Sequence, residues 1–298
     1  MDRELIGKYT TRDSRFLIFD ETLIHYREEG NKDAPTLLLL HGAFSSLHTY
    51  NGWVKELKKD FHIIRVDLPG FGLTGPNARG NHDMLMYKRC VGTILNRLGI
   101  EKCHIAGSSL GGWVSWEFAA DYPERVDKLV LLGSAGFIDE RNIPLPFKMA
   151  RTPFLSRVAR YAIKRNILEQ FVKQVYYNQQ KVSEALIDRY YELFTREGNP
   201  GVFFKMANSK FENNTHKLKS INAPTLLMWG RHDKWIPVEN AYRFERRIYN
   251  SEVLIYEKCG HLPMEEIPRQ SANDARAFLL GKSKEEEVTR AKSRTALV

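Results

Sequence analysis

Apolar positions along this 298-residue chain fall into short continuous runs separated by amphipathic stretches. Runs at 35–40, 63–68, 103–106, 129–132, 224–229 and 253–256 lack the alternation of a half-exposed strand. They predict strands covered on both faces. Two shorter stretches, 16–19 and 22–26, read as an opening hairpin. Between the runs, 46–57, 84–98, 110–120, 238–248 and 265–280 carry apolar residues at helical spacing. Strands alternating with helices predict an α/β fold: a doubly wound, mostly parallel sheet.

One stretch breaks the alternation. Residues 137–220 read as helical throughout, and Pro144, Pro146 and Pro153 punctuate the point where the chain leaves the main body. The expected organisation is a core of residues 1–136 and 221–281, a helical cap inserted at 137–220, and a charged tail at 282–298.

Composition adds limits. A hydrophobic fraction of 43% suits a folded globular protein. The three cysteines, Cys90, Cys103 and Cys259, are scattered and show no paired spacing, which favours reduced thiols. No leader-like segment or long apolar run stands near the start, so the expected location is the cytoplasm. The formal charge of +9 is uneven: 137–220 holds 15 Lys and Arg against 8 Asp and Glu. No recognised nucleic-acid module accompanies it, so nucleic acid is not an expected partner.

The chemistry concentrates at three points. Gly107-Ser108-Ser109-Leu110-Gly111-Gly112 follows the 103–106 run and opens a predicted helix. This is a G-x-S-x-G elbow, in which small residues two before and two after the serine permit a tight strand-to-helix turn. Gly107 and Gly111 flank Ser109 in this way, whereas Ser108 would be flanked by Ala106 and Leu110. A serine hydroxyl needs a base, and the base needs an acceptor to hold its tautomer. His261 and Asp233, each following a predicted strand, supply these roles in the order Ser…Asp…His. Asp139 is the lower-ranked rival acid. An oxyanion would be held by the Leu110 N–H and by the Ala43 N–H from His41-Gly42-Ala43-Phe44, with Phe44 N–H the second choice and its side chain set against substrate. His41 is more simply a loop-bonding histidine than a second base. Gly70-Phe71-Gly72-Leu73-Thr74-Gly75 matches a dinucleotide fingerprint, but no helix opens there and no acid stands where the ribose would need one. Its glycines read as a loop near the floor of the site.

These motifs resemble the α/β-hydrolase superfamily, in the branch that carries a helical cap. The resemblance rests on His41-Gly42, on Asp67-Leu68-Pro69-Gly70-Phe71-Gly72, on 107–112, on Trp229-Gly230-Arg231-His232-Asp233, and on Gly260-His261-Leu262-Pro263 with Glu266 and Pro268 behind it. It spans about residues 36–278. It implies a sheet of about eight strands, no cofactor or metal, and an active site between sheet and cap. A serine at the elbow argues against the haloalkane dehalogenases and epoxide hydrolases of the superfamily, which use aspartate. Many carbon–carbon bond hydrolases of ring-cleavage pathways carry tryptophan where this chain has Leu262, and Leu110-Gly111-Gly112 is common among carboxylesterases.

The expected function is a serine hydrolase acting on small to medium apolar or aromatic carboxylic esters. Carbon–carbon bond hydrolysis on the same residues, or a non-catalytic binding role, are the rivals. In the cap, Phe154, Leu155, Val158, Ala162, Ile163, Ile167, Phe171, Val172 and Val175 recur near helical spacing with Arg157, Arg160, Lys164 and Arg165 among them. An amphipathic cap helix is the plainer reading; weak contact with an anionic membrane surface is the sharper one.

Overall fold

The computed structural model describes residues 3–137, 143–151, 163–209 and 212–281. Eight strands form one sheet in the order β1-β2-β4-β3-β5-β6-β7-β8. They are β1 (Ser14–Phe19), β2 (Thr22–Gly30), β3 (Thr36–Leu40), β4 (His62–Val66), β5 (Cys103–Ser108), β6 (Val126–Leu132), β7 (Thr225–Gly230) and β8 (Ser251–Tyr256). The opening hairpin is antiparallel, β2 pairs antiparallel with β4, and every later pairing is parallel.

Most of the runs that predicted two-sided burial are buried in that way; the 253–256 run is the exception, because β8 is an edge strand and Val253, Leu254 and Ile255 are only half-buried. Every residue of β5 and β7, and Leu37 to Leu40 of β3, lies in the core. Hydropathy stops β2 too early, because its second half, Arg27, Glu28 and Glu29, is polar. Partners across the sheet compensate that polarity: Arg65 on β4 pairs with Glu29 at 2.7 Å. His62 likewise bonds Glu28 at 3.0 Å.

The helices are α1 (Arg3–Tyr9), α2 (Asn51–Leu57), α3 (Met84–Arg97), α4 (Leu110–Asp121), α5 (Leu145–Ala150), α6 (Arg165–Gln174), α7 (Glu184–Thr195), α8 (Asn199–Asn208), α9 (Glu239–Glu245), α10 (Pro263–Glu266) and α11 (Pro268–Leu280). Three expectations need correction. Helix α1 had no apolar stripe to announce it. The predicted helix at 46–57 opens as a tight 3-10 turn at Leu47–Tyr50. The predicted helix at 265–280 divides at Ile267, because Pro268 can only begin a new helix.

Between β6 and β7 every described element is helical, from α5 through α8. Asp139, the stretch 152–162 with Phe154, Leu155, Val158, Arg157, Arg160 and Ala162, and the tail 282–298 lie outside the described residues. Cys90, Cys103 and Cys259 are free and buried. No described helix is long and apolar enough to cross a membrane.

Candidate active site

The strand order reverses where β3 lies between β4 and β5, and loops at the carboxyl ends of β3, β5, β7 and β8 gather above that point. Such a crevice is where open α/β sheets bind ligands. Ser109 caps β5 and precedes α4 with φ 53° and ψ −116°, a left-handed backbone that only tight surroundings sustain. The flanking glycines are required by contact. A Cβ on Gly107 would lie 2.3 Å from the Gly111 carbonyl, and one on Gly111 would lie 2.2 Å from the Leu40 carbonyl. Ser108 is fully buried, whereas Ser109 reaches two cavities.

Asp233 sits in the turn after β7. Its Oδ1 accepts the N–H groups of Trp235 and Ile236 at 2.9 Å each. Its Oδ2 lies 2.7 Å from His261 Nδ1. These amides fix the carboxylate, and the carboxylate fixes the ring. Gly133, at the end of β6 with φ 49°, gives the pair room: a Cβ there would stand 3.0 Å from both Asp233 Oδ2 and His261 Nδ1. His261 Nε2 is buried and makes no hydrogen bond among the described residues, to Ser109 Oγ included. Catalytic hydrogen bonds are often long before substrate arrives, and the serine and histidine line one small cavity.

The N–H groups of Ala43 and Leu110 have no backbone acceptor among the described residues. Phe44 follows at φ 64°. Its ring centroid is 4.1 Å from that of Phe203 and 4.9 Å from that of Phe194, so it lines the small cavity as the hub of an aromatic cluster.

His41 serves the loops. Its Nδ1–H donates to the Gly42 carbonyl at 2.7 Å and its Nε2 accepts the Leu68 N–H at 3.0 Å. Burial pushes its pKa down, against the pull of Asp67. Both ring nitrogens are committed, so His41 has no free base. A second Ser–His–Asp chain exists in the hairpin: Asp67 Oδ2 lies 2.7 Å from His25 Nδ1, and His25 Nε2 lies 3.0 Å from Ser14 Oγ. There the ring is fully buried, and the Ser14 hydroxyl also accepts the Thr11 N–H at 3.1 Å. Asp67 further accepts from Leu47 and Leu73. This chain ties loops together. Burial alone would raise the Asp67 carboxyl, but the His25 hydrogen bond and charge hold it well below the carboxylate range. The glycine-rich loop at 70–75 turns without opening a helix. It packs against Val202 and Arg196 of the helical segment, and its Phe71 ring stands edge-on to His41 with centroids 5.7 Å apart.

Sequence reasoning named Glu266 only as part of a motif, and missed how it and Glu265 join the histidine loop to the helices above it. Buried Glu266 accepts the N–H groups of Gly260, Tyr177 and Asn178 at 2.8, 3.1 and 2.7 Å. Its neighbour Glu265 accepts from Tyr176, Tyr190 and Arg189 at 2.5, 2.9 and 3.0 Å. The His261 N–H donates to Val175 O at 2.7 Å. Burial, and then the Glu265 carboxylate, push the Tyr190 hydroxyl well above its ordinary pKa, so it stays protonated. Two adjacent acids beside a predicted site were the available signal. Of the basic residues among the cap positions, Arg165 pairs with Asp188, Glu184 and Glu169, which offsets part of the local charge.

The larger cavity holds about 370 Å³. Ala43, Ser109, Leu110 and Trp113 form its base; Phe137, Phe147, Met206 and Trp235 are among its apolar walls; Arg151, Glu239 and Arg243 also line it.

The model of the alpha/beta hydrolase fold matches residues 35–268. The chain belongs to the α/β-hydrolase family. Among curated relatives, this hydrolase is 30% identical over 251 residues to the 2-hydroxy-6-oxononadienedioate/2-hydroxy-6-oxononatrienedioate hydrolase of Paraburkholderia phymatum, covering 81% of this chain and 85% of that one. It is 27% identical over 250 residues to the 2-hydroxy-6-oxo-6-phenylhexa-2,4-dienoate hydrolase of Comamonas testosteroni, covering 80% and 85%. Among solved structures it is similar to a membrane phospholipase A described as a bacterial virulence factor, with TM-score 0.77 and 27% identity over 90% of this chain and 86% of that one.

Proposed function

We propose that this α/β-hydrolase is a serine hydrolase that cleaves carboxylic esters of apolar acyl groups through an acyl-enzyme, with the helices of 137–220 as its lid. Ser109 Oγ attacks the acyl carbonyl carbon while His261 Nε2 takes its proton. Asp233 holds the ring's other nitrogen and stabilises the imidazolium. The Ala43 and Leu110 N–H groups receive the oxyanion, each worth roughly 3 kcal/mol in the transition state. The tetrahedral adduct collapses, the alkoxide leaves with the proton from Nε2, and water repeats the sequence to release the acid.

One observation carries this reading. The serine opens on a cavity of about 370 Å³ walled largely by aromatic and aliphatic side chains, and the His261 Nε2 near it has no hydrogen-bond partner among the described residues. Turnover of p-nitrophenyl butyrate and octanoate, with phosphonylation of Ser109 by a fluorophosphonate read by peptide mass, tests it. Folded protein that resists the probe and leaves both esters intact would point instead to a non-catalytic binding role.

Carbon–carbon bond hydrolysis of a 2-hydroxy-6-oxo-dienoate is the second reading. The names of the two curated relatives support it better than they support ester cleavage. Arg151 and Arg243 in the cavity wall are groups that suit a substrate carboxylate. Leu262, in place of the tryptophan common in such enzymes, weighs against it. Comparing kcat/KM for a ring-cleavage product with that for p-nitrophenyl octanoate decides between the two.

A further inference from the structure

Ser109 stands between two chambers of very different size. The large one holds about 370 Å³; the small one holds about 30 Å³. Ala43, Ser109 and Trp235 line both and form the partition. The remaining site groups divide between them. His261 and Leu262 line only the small chamber, and Leu110 lines only the large one.

That division has a stereochemical consequence. In the tetrahedral adduct the former carbonyl carbon carries Ser109 Oγ, the oxyanion, the acyl chain and the leaving oxygen. The C–O bond to the leaving group breaks with its electron pair moving onto oxygen, and that oxygen takes the proton from His261 Nε2. The leaving oxygen must therefore lie on the His261 side, within hydrogen-bond reach of Nε2. The acyl chain must point the other way. Resting on the ester-hydrolase reading above, we infer that the large chamber takes the acyl chain and the small chamber takes the leaving alcohol. Only an alcohol of one or two carbons fits, since a single water already needs roughly 10–15 Å³.

The small chamber is also braced against expansion. Tyr190 in its wall is tied to Glu265 at 2.9 Å. Val175 in its wall accepts the His261 N–H at 2.7 Å. Leu168 and Val172 are buried in α6, and Phe171 completes that wall. The inferred substrate class is therefore methyl or ethyl esters of medium-length apolar acids, and Phe171 and Met206 are the specificity-determining side chains for the alcohol and acyl ends.

The test is an isomeric pair, methyl octanoate and heptyl acetate, which contain the same atoms divided oppositely about the ester. The wild type should favour methyl octanoate in kcat/KM by about tenfold or more, the scale on which chain fit discriminates. Phe171→Ala should narrow that ratio by raising heptyl acetate. Met206→Phe should narrow it by lowering methyl octanoate. Phe171→Leu, a smaller change, should shift the ratio in the same direction as Phe171→Ala and guards against a misfolded alanine variant. A wild-type preference for heptyl acetate, or Phe171 variants that change only acyl-length preference, would overturn the inference while leaving ester hydrolysis intact. Turnover of neither ester would overturn the reading and the inference together.

Discussion

Gly42 and Ser109 face each other so closely that a Cβ on Gly42 would lie 2.9 Å from the Ser109 Cβ and 3.5 Å from its Oγ. Two loops from neighbouring strands are thus seated on one another at the point where the adduct would form. Gly42→Ala should push the 41–44 loop off the serine and displace the Ala43 N–H. Loss of one oxyanion donor corresponds to about 10²–10³ in kcat. Steady-state kinetics with p-nitrophenyl butyrate checks this, and a variant within threefold of wild type would contradict it.

The hydrogen bond between Asp233 and His261 predicts a graded series. Ser109→Ala should lower kcat by about six orders of magnitude, as in other serine relays. Asp233→Asn should cost about 10⁴, since an amide can present its N–H to Nδ1 and impose the wrong tautomer. Near-normal turnover of the alanine variant would move the nucleophile elsewhere.

Acid should destabilise the fold well before its carboxylates are titrated. Burial lowers the pKa of His41. Burial lowers His48 to about 3, with Asp67 pulling it up and Arg27 pushing it further down. Burial and then Lys205 lower His82 to about 4. Each is depressed in the folded state and near 6.5 when unfolded, so the unfolded chain binds protons first. Stability is therefore full above about pH 6.5 and falls as pH drops towards 4 and 3, by up to about 1.4 kcal/mol per pH unit for each group. Urea unfolding between pH 7.5 and 4.5 measures it; a flat profile would refute it.

Glu266→Ala should be costly in both stability and activity. It strips the acceptor from three N–H groups, two of them in the segment above the site and one immediately before His261. Each buried orphan costs roughly 1–3 kcal/mol, so a loss of about 3 kcal/mol or more is expected. Thermal melting and kcat should fall together.

The sharper reading of the basic segment, contact with an anionic surface, predicts weak, salt-sensitive binding to anionic vesicles, whereas the plainer reading of an amphipathic cap helix predicts none. Equal retention on phosphatidylcholine and phosphatidylglycerol vesicles at low salt would eliminate that contact.

The sequence made the strand runs and the elbow legible because steric necessity wrote them. Only glycine survives at 107 and 111, where a Cβ would meet a carbonyl oxygen at 2.3 and 2.2 Å. Asp233 and His261 were legible as polar residues after apolar strand runs, and the structure brings them together at 2.7 Å. What was not legible depends on partners distant in the chain. The polar half of β2 is a strand because Arg65 and His62 on β4 reach its glutamates diagonally across the pair. The Glu265 cluster draws on residues 75 to 89 positions away, which no local pattern reports. The charge of the segment at 137–220 looked like a free basic face, yet Arg165 is engaged by three acids.

Gly133 contributes no reacting atom, yet it sets how much room the relay has. A Cβ placed there would stand 3.0 Å from both acid and imidazole, so the pair would have to give way by a few tenths of an ångström, on a backbone at φ 49° that side chains rarely adopt. A homologue could retain every motif by which such proteins are recognised and still carry its acid and base in a less favourable geometry through that one position. Surveys that score competence from the nucleophile, acid and base alone would not see the difference.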